Sequence, residues 1–569
     1  MKGAEVLIQM LLEYKVEVIF GVPGDTSLPL YEAIYDAAPK IRHVMARDER
    51  SASFMADAYA RISFKPGVCE CPSGAGALYS VPGVAEANAS SIPVILFTSD
   101  ISLADEGRGA ITALDHHLLF EPITKWSSFL KQTDKIPETV RRAFRVATTG
   151  RPGGVHLALP HEVMTGEFQL GKPTIFSETE CIDYPAYRTR GSQKVLEEAV
   201  IHLMKAIRPV IIAGGGANHS QAHQEVMALS EWLAAPVVTT ISGQGIMPDD
   251  HPLALGVVGD NGFHPYANRA VEESDLLLYV GCKRGSVSTI KWTLPSYQST
   301  RRIIQIDLDP LQLSNNFSNT LDIAGDARLV LKDLLQLLIK EGKARKPSPW
   351  VDELNRVRAR FWEESDPSLN SDAVPIKPQR IVHALNQRLP SPAIVIADAG
   401  TPTPYITRFL KLQGGGSRFL IPRSFGGLGY AIPGVVGAAF ARPGIRVVGL
   451  FGDGSMGMSA GELETLVRLK IPAVLIHFNN GCFGWIKALQ ALHAGGKFIS
   501  VDFNSGNMAQ VAEGFGLKAF RIQTPVELEK GLDFAFDTQS PVFLDVVTEP
   551  EITELPPVFS WLKKAEKKG

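Results

Sequence analysis

Short apolar runs separated by amphipathic segments recur along most of the chain. The runs IRVVGLF (445–451) and IPAVLIHF (471–478) are rich in β-branched residues and are bounded by turn residues, which is typical of buried strands. Between them, SAGELETLVRL (459–469) has the spacing of an amphipathic helix. Strand, helix and strand in this order predict a β-α-β unit with parallel strands.

This alternation groups into three blocks of similar size, at about 1–165, 191–340 and 375–550. The repeated alternation predicts an α/β fold with three consecutive doubly wound parallel-sheet domains. A short tail at 551–569 is too small to fold alone.

Polar residues follow both strands of the β-α-β unit. Asp453 and Asn480 come at the ends of parallel strands, so they should lie at the same sheet edge. Carboxylate and amide oxygens suit Mg²⁺, and the backbone carbonyl of Cys482 supplies a third candidate ligand. Ser455 and the amides around Gly454 begin a helix, where phosphate oxygens bind favourably. The unit therefore predicts Mg²⁺ with a diphosphate.

Gly-Asp-Gly and Asn-Asn are each common in ordinary turns and loops, and either half alone is uninformative. The pair at 452–454 and 479–480, spanning a whole β-α-β unit, resembles the diphosphate motif of the thiamine diphosphate enzymes. The three blocks also match that family's order of a pyrimidine-binding, a middle and a diphosphate-binding domain. The resemblance covers nearly the whole chain.

The segment IRHVMARDERSASFMADAYAR (41–61) contains a strand, an acid and a helix. It resembles the family's strand-His-Glu-helix element, with Asp48 in place of the more usual histidine. The resemblance implies that Glu49 is catalytic: its acid group, hydrogen bonded to the cofactor's aminopyrimidine, assists loss of the thiazolium C2 proton. The alternative is that Glu49 is a helix-start acid stabilised only by the macrodipole.

Further segments resemble the family's cofactor contacts. SFGGLGYAIPGVVGAAFA (424–441) matches the family's segment beneath the two rings of the cofactor. The resemblance implies that Leu428 bends the cofactor for catalysis, although a leucine here fits a core position equally well. ADAG (397–400) resembles the loop that faces the diphosphate, and FGVPGD (20–25) resembles the loop that approaches the thiazolium. The implied cofactor-binding residues are Pro23, Gly24, Glu49, Gly400, Thr401, Gly427, Leu428, Gly452, Asp453, Gly454, Ser455, Asn480, Cys482, Phe483 and Gly484.

In this family the first domain of one subunit faces the third domain of another. The resemblance therefore implies that Glu49 and Asp453 of one site come from different chains. At least a homodimer is expected, or a homotetramer of two such pairs.

The overall layout looks most like the acetolactate synthase group. This implies a carboligase or lyase that makes or breaks a carbon–carbon bond in 2-oxo acids or related acyl donors. The alternatives are a non-oxidative decarboxylase of the benzoylformate or pyruvate type and a 2-hydroxyacyl-CoA lyase-like enzyme. A catalytically idle cofactor-binding scaffold is the alternative outside catalysis.

The segment AITALDHHLLF (110–120) departs from the synthase pattern. Residues 111–113 replace a Phe-Gln-Glu run, while Asp115 keeps the aspartate. His116 and His117 follow and are candidate catalytic proton donors. The alternative is a polar helix start near an interface.

Four residues are candidates for the substrate pocket: Asp25, Thr112, Trp485 and Ile486. The bulky Trp485 and Ile486 would restrict the space for substrate, and the aromatic ring could also stack on an aromatic substrate.

The middle block raises the question of a second cofactor. AGGGAN (213–218) is a strand-to-helix glycine turn without the full G-x-G-x-x-G spacing. Arg284 lies near the place where flavin-containing synthases carry an Arg-Phe-Asp-Asp run, and Asp307 either reaches a ribose or simply ends a strand. FAD, or ADP or CoA, therefore remains an open possibility.

Composition narrows the function classes. The 569 residues carry a net charge of −3, without the basic excess needed to hold nucleic acid. No apolar run approaches a membrane span, and the first residues lack a signal-peptide profile, so a cytoplasmic location is expected. Five scattered cysteines argue against a disulfide framework.

Overall fold

The computed structural model describes residues 1–169, 174–412, 418–504 and 506–567. Within these residues the chain forms three six-stranded parallel sheets flanked by helices. The predicted α/β class with three parallel-sheet domains is therefore confirmed.

The first sheet has the strand order β2-β1-β3-β4-β6-β5. Its strands are β1 (Val18–Gly21), β2 (Arg42–Met45), β3 (Gly67–Cys71), β4 (Val94–Asp100), β5 (Trp126–Phe129) and β6 (Val155–Pro160). The accompanying helices are α1 (Gly3–Glu13), α2 (Leu28–Ala37), α3 (Glu49–Ser63), α4 (Ala75–Ser90), α5 (His116–Phe120), α6 (Ile136–Thr148) and α7 (His161–Thr165). Every residue of β3, β4 and β6 is buried, as expected when helices cover both faces of a parallel sheet.

The second sheet has the order β12-β11-β10-β7-β8-β9. Its strands are β7 (Pro209–Ala213), β8 (Val237–Thr239), β9 (Ala254–Val257), β10 (Leu276–Val280), β11 (Arg302–Asp307) and β12 (Leu321–Ala324). The helices here are α8 (Gln193–Lys205), α9 (Gly215–His219), α10 (His223–Leu233), α11 (Pro265–Glu273), α12 (Ala327–Glu341) and α13 (Pro349–Leu369). Helix α13 falls in a part of the chain for which the sequence pattern predicts no element; it is anchored by the buried side chains of Trp350, Val351 and Leu354.

The third sheet has the order β14-β13-β15-β16-β18-β17. Its strands are β13 (Ala393–Ala397), β14 (Arg418–Leu420), β15 (Arg446–Gly452), β16 (Ala473–Asn479), β17 (Lys518–Ile522) and β18 (Val542–Val547). The helices of this part are α14 (Pro378–Asn386), α15 (Pro402–Phe409), α16 (Ala431–Ala441), α17 (Asp453–Ser459), α18 (Glu462–Arg468), α19 (Gly484–His493), α20 (Met508–Gly514), α21 (Pro525–Asp537) and, in the tail, α22 (Phe559–Glu566). The last two residues of the predicted tail lie outside the described residues.

Each sheet lies inside one of the three predicted blocks, although the block boundaries themselves remain a prediction. By internal packing the described residues divide into two compact units. The first unit contains Met1–Tyr187, Pro422–Gly449 and Gly457–Ala473, and the second contains Arg188–Ile421, Leu450–Met456 and Val474–Gly569. Helices α16 and α18 therefore pack in the same unit as the first sheet. None of the described helices is both long and apolar enough to cross a membrane.

Helix α3 is the centre of the first unit, and it packs closely against α4 and α16. A Cβ at Gly83 of α4 would lie 2.1 Å from the Ser53 hydroxyl oxygen. A Cβ at Gly437 of α16 would lie 2.1 Å from the Met55 carbonyl oxygen. Glycine is required at both positions because any side chain would push a neighbouring helix away from α3.

Candidate active site

The predicted pair of polar residues meets at one edge of the third sheet. Strands β15 and β16 are neighbours, and Asp453 and Asn480 follow their carboxyl ends. The Asn480 backbone N–H donates to Asp453 Oδ2 over 3.0 Å. Asn480 Oδ1 in turn accepts the Cys482 N–H at 3.2 Å. The structure thus brings together all three residues predicted to bind the metal.

The site contains a second acid, Glu551, which sequence reasoning missed. Asn480 Nδ2 donates to Glu551 Oε2 over 2.9 Å, and the Thr401 side chain also hydrogen bonds to Glu551. Glu551 follows β18, which pairs with β16. The rule that parallel strands end at one edge identifies such a residue once the strand order is known. The sequence alone does not supply that order.

Glu551 explains two neighbouring features. It fixes the Asn480 amide, because the Nδ2 group is committed to Glu551 and the oxygen therefore faces the Cys482 side. It also explains Gly484, where a Cβ would lie 1.9 Å from Glu551 Oε2. The predicted cofactor contact at Gly484 is in this structure a close packing contact with an acid.

The electrostatics of the site favour a cation. Burial raises the pKa of the Asp453 carboxyl, and burial together with the Asp453 charge raises the pKa of Glu551 to about 7. Glu551 is 1% exposed, and its Oε1 has no hydrogen-bond partner among the described residues. A buried acid with an unpaired oxygen beside the half-buried Asp453 forms the environment that a divalent cation stabilises. The residues present therefore fit Mg²⁺.

His477 supports Asp453 from inside the sheet. Its Nε2 lies 3.6 Å from Asp453 Oδ1, and its Nδ1 hydrogen bonds with Asp545 over 2.9 Å. Burial would raise the pKa of Asp545, but the hydrogen bond with His477, reinforced by Asn479 and Arg521, lowers that pKa to about 2. Asp545 is therefore a fixed negative charge that orients the His477 ring behind the site.

The residues predicted to receive the diphosphate begin α17 and α15. Ser455 is buried in the first turn of α17, and a Cβ on Gly452 would meet its nearest neighbours, which include Thr401, only at 3.9–4.0 Å. Thr401 therefore lies within van der Waals reach of this turn. Gly400 has a φ of 111°, which turns the chain from β13 into α15 and favours glycine.

Glu49 is the first residue of α3, where the sequence pattern predicts it. Asp48 is the N-cap, and its side chain accepts the Ser51 N–H. Glu49 is 8% exposed, and burial raises the pKa of its carboxyl, with the Asp48 and Glu70 charges adding to the effect. A Cβ on Gly76 would lie 3.0 Å from Glu49 Oε1. A shielded acid with a raised pKa suits proton donation better than an exposed helix-start acid does.

Loops from three parts of the first unit approach one another near Glu49. A Cβ on Gly24 would lie 2.4 Å from the Pro72 ring. The Ser73 hydroxyl shares a 2.7 Å hydrogen bond with Thr112, whose φ is 64°. Pro23 and Asp25 are exposed. The structure therefore groups Gly24 and Thr112 around one loop, and their roles toward the thiazolium and the substrate stay predictions.

The two candidate histidines differ in exposure. His116 is 1% exposed and His117 is half-buried. The Gly74 backbone N–H points to His116 Nε2 at 3.4 Å, so this nitrogen carries no proton. The Nδ1 proton then donates to the Thr98 hydroxyl over 2.9 Å.

The chain of hydrogen bonds continues inward from Thr98. The Thr98 hydroxyl contacts His156 Nε2 over 2.9 Å, and His156 Nδ1 contacts Ser127 over 2.8 Å. Ser127 lies 3.0 Å from His117 Nδ1. Burial lowers the pKa of His116 to about 4 and that of His156 well below its ordinary value. The enclosed neutral ring of His116 does not favour the predicted role of proton donor, and its geometry instead anchors the loop at Gly74, whereas the role of His117 stays a prediction.

Acidification tests this assignment. The unfolded chain binds a proton at His116 below about pH 6.5, whereas the folded ring resists protonation. We expect the stability advantage of wild type over His116→Asn to be complete above that pH. It should shrink by about 1.4 kcal/mol per pH unit as the pH falls toward 4, measured by urea unfolding. A stability difference between wild type and His116→Asn that does not change with pH would contradict the enclosed neutral ring.

The remaining predicted pocket residues surround the start of α19. Phe483 packs edge-on against Phe503 with ring centroids 4.6 Å apart. Trp485 packs against Trp561 of the tail helix at 4.4 Å. Ile486 is 46% exposed. Trp485 thus has a packing partner, and its role in a substrate pocket stays a prediction.

Leu428 and Gly427 lie in the first unit, in the segment that precedes α16. Leu428 is half-buried, and a Cβ on Gly427 would contact the Phe54 ring at 3.6 Å. Leu428 is therefore not a fully enclosed core residue, which leaves its side chain available for the role that the sequence resemblance implies.

Three protein-family models match successive parts of the chain. They describe the N-terminal TPP-binding domain (residues 1–119), the central domain (196–334) and the C-terminal TPP-binding domain (398–546) of thiamine pyrophosphate enzymes. The chain belongs to the thiamine pyrophosphate enzyme family, and thiamine pyrophosphate is another name for thiamine diphosphate.

Relatives similar over nearly the whole chain narrow the class. A probable acetolactate synthase large subunit of Methanocaldococcus jannaschii is 37% identical over 97% of this chain and 92% of its own length. The acetolactate synthase of Arthrospira platensis is 32% identical over 96% of this chain and 94% of its own length. The acetolactate synthase isozyme 3 large subunit of Escherichia coli is 30% identical over 96% of this chain and 95% of its own length. The predicted class, a thiamine diphosphate-dependent enzyme of the acetolactate synthase group, is confirmed.

Proposed function

We propose that this protein is a Mg²⁺-dependent carboligase that joins two 2-oxo acid units in the manner of an acetolactate synthase. The observation that carries the proposal is the convergence of Asp453, Asn480 and Glu551 at one sheet edge. Similarity to acetolactate synthases over nearly the whole chain supports the choice of reaction.

Bound thiamine diphosphate supplies a nucleophilic carbon and an electron sink for the carbon–carbon bond that breaks. Asp453, Asn480 and the Cys482 carbonyl would hold Mg²⁺ against the diphosphate. The backbone amides around Gly454, together with Ser455 and Thr401, would bind the phosphate oxygens. Glu49, a shielded acid, would hold a proton toward the pyrimidine ring.

The active form that we propose is a homodimer or homotetramer in the cytoplasm. Glu49 belongs to the first unit and Asp453 to the second. The family arrangement would complete each site with Glu49 of one chain and Asp453 of another. Loss of activity on dilution, measured together with the molar mass by light scattering, tests this assembly.

Product analysis tests the reaction. With pyruvate, thiamine diphosphate and Mg²⁺, we expect acetolactate, with one CO₂ released for each two pyruvate molecules consumed. Acetaldehyde accumulating with one CO₂ per pyruvate would instead establish the alternative, a non-oxidative 2-oxo acid decarboxylase. Cleavage of a 2-hydroxyacyl-CoA would establish the lyase alternative, and cofactor binding without turnover of any of these substrates would establish an idle scaffold.

The proposal of a second cofactor in the middle domain, FAD or an adenine nucleotide such as ADP or CoA, depends on a single residue. Arg284 is fully buried, and its Nε and Nη2 have no hydrogen-bond partner among the described residues. The glycine turn is explained by packing, since a Cβ on Gly214 would lie 2.3 Å from the Gly281 carbonyl oxygen. The Asp307 side chain accepts the Asp309 N–H. Flavin absorbance of the purified protein tests this part of the proposal.

A further inference from the structure

The segment that carries Leu428 is held at its beginning by one buried acid of α4. The Glu86 carboxylate accepts three successive backbone N–H groups, from Arg423 and Ser424 at 3.1 Å and from Phe425 at 2.8 Å. Glu86 is 1% exposed. Three amides converging on one carboxylate fix the path of the chain at these residues.

The same segment is held at its end by an acid of α3. The Tyr430 hydroxyl donates to Asp57 Oδ2 over 2.6 Å. Asp57 is fully buried and also accepts two hydrogen bonds from Arg61, at 2.7 and 3.1 Å. Arg61 Nη2 lies 3.7 Å from Glu86 Oε1, so one guanidinium connects the two acids. We call Asp57, Arg61, Glu86 and Tyr430 the loop clamp.

Between the two attachment points lie Gly426, Gly427, Leu428 and Gly429. Gly426 and Gly429 have φ values of 67° and 84°. A stretch with three glycines in four residues has little rigidity of its own. Its conformation must therefore be imposed from outside, and the loop clamp acts at both ends.

The free-energy cost of burying the charges of the loop clamp indicates that it has a role beyond stability. Two buried carboxylates and a guanidinium lose their hydration, and buried ion pairs are often no more stabilising than apolar residues of similar volume. Buried polar networks can instead select one conformation among several. Here the selected conformation is that of the segment around Leu428.

We propose that the loop clamp fixes the position of the Leu428 side chain beneath the cofactor rings. This proposal rests on the proposed function. The hydrogen bonds of the loop clamp go to the two ends of residues 423–430, so its residues act on Leu428 through the backbone of this segment. Loosening either attachment should therefore spread Leu428 over several positions without removing any cofactor contact.

Two substitutions test the loop clamp at its two ends. Glu86→Gln keeps the shape of the side chain but replaces one accepting oxygen with a donor that faces backbone N–H groups. Tyr430→Phe removes one hydroxyl and keeps the ring, which packs against Phe54 at 5.2 Å. Tyr184→Phe is the matched control, since the Tyr184 hydroxyl donates to the Ala60 carbonyl of the same helix α3 over 3.0 Å.

The first measurement needs no cofactor. Amide hydrogen–deuterium exchange of the cofactor-free full chain should be at least about tenfold faster at residues 423–425 in Glu86→Gln, because those amides lose their charged acceptor. Tyr184→Phe should leave this peptide unchanged. Equal exchange in wild type and Glu86→Gln, or an equal rise in Tyr184→Phe, would overturn the proposal.

The second measurement uses bound thiamine diphosphate. In Tyr430→Phe we expect the rate of C2 hydrogen–deuterium exchange in the bound cofactor to fall about tenfold, with the dissociation constant for thiamine diphosphate nearly unchanged. Loss of affinity with a normal exchange rate would overturn the positioning role. If wild type itself fails to bind thiamine diphosphate, the proposed function fails, whereas the amide-exchange result still decides whether the clamp exists.

Discussion

Replacing Glu49 by glutamine is expected to lower kcat by about 10²–10⁴-fold, the range typical of a lost general acid. Glutamine keeps the shape of the side chain at the start of α3, but it cannot give up a proton. Burial already raises the pKa of this carboxyl, which favours its protonated form. The binding of thiamine diphosphate should change little, because in the proposed site Mg²⁺ and the start of α17 anchor its diphosphate end.

The control for this prediction is another acid in the first turn of a helix. Glu138 of α6 is exposed and pairs with Lys135 over 3.0 Å. Glu138→Gln should alter stability by only a few tenths of a kcal/mol and leave kcat unchanged. Steady-state kinetics and cofactor titration on both variants separate the two roles. A Glu49→Gln enzyme with normal kcat would show that Glu49 is only a helix-start acid.

Replacing Asp453 by asparagine is expected to weaken Mg²⁺ binding in the presence of thiamine diphosphate by at least about 100-fold. Loss of a residue that only supports a metal ligand already costs about 10–100-fold, and loss of a charged ligand should cost more. Asparagine can still accept the Asn480 N–H, so the local fold should survive. Calorimetric titration of Mg²⁺ gives the affinity.

The melting temperature of the metal-free protein provides a second test of this prediction. Asp453 and Glu551 are two acids in a buried site, and burial raises the pKa of both carboxyls. Removing one charge should therefore leave the Tm of the metal-free protein unchanged or slightly higher, as is common for functional residues. Asp533→Asn removes an exposed carboxylate paired with Arg388 and should affect neither quantity. Unchanged Mg²⁺ affinity in Asp453→Asn would remove the basis of the proposed metal site.

The sequence predicts Asp453 but not Glu551, although the two acids lie in one site. Asp453 stands in a motif with regular spacing to Asn480, so the sequence predicts both residues and their meeting. Glu551 lies 71 residues beyond Asn480 and follows a strand whose place in the sheet is not written in any local pattern. The distance along the chain says nothing about which parallel strands become neighbours.

The predicted histidines show the same division. The pattern identifies a polar helix start at His116 and His117, and the structure has α5 there. That His116 is enclosed by Thr98 and the Gly74 amide depends on where α5 lies against the first sheet. Burial decides the protonation state of such a ring, and burial belongs to the folded chain rather than to the segment.

The sequence by itself determined the three alternating α/β blocks, the position of Glu49 at the start of a helix, and the pairing of Asp453 with Asn480. These follow from local periodicity and from motifs contained in one β-α-β unit, because apolar spacing dictates which faces must be buried. Only the tertiary structure decided that Glu551 joins the site, that Trp485 packs on the tail, and that α3 and α4 hold the segment around Leu428. Those contacts depend on strand order and helix packing, and polar side chains in loops carry no periodic signal from which either can be deduced.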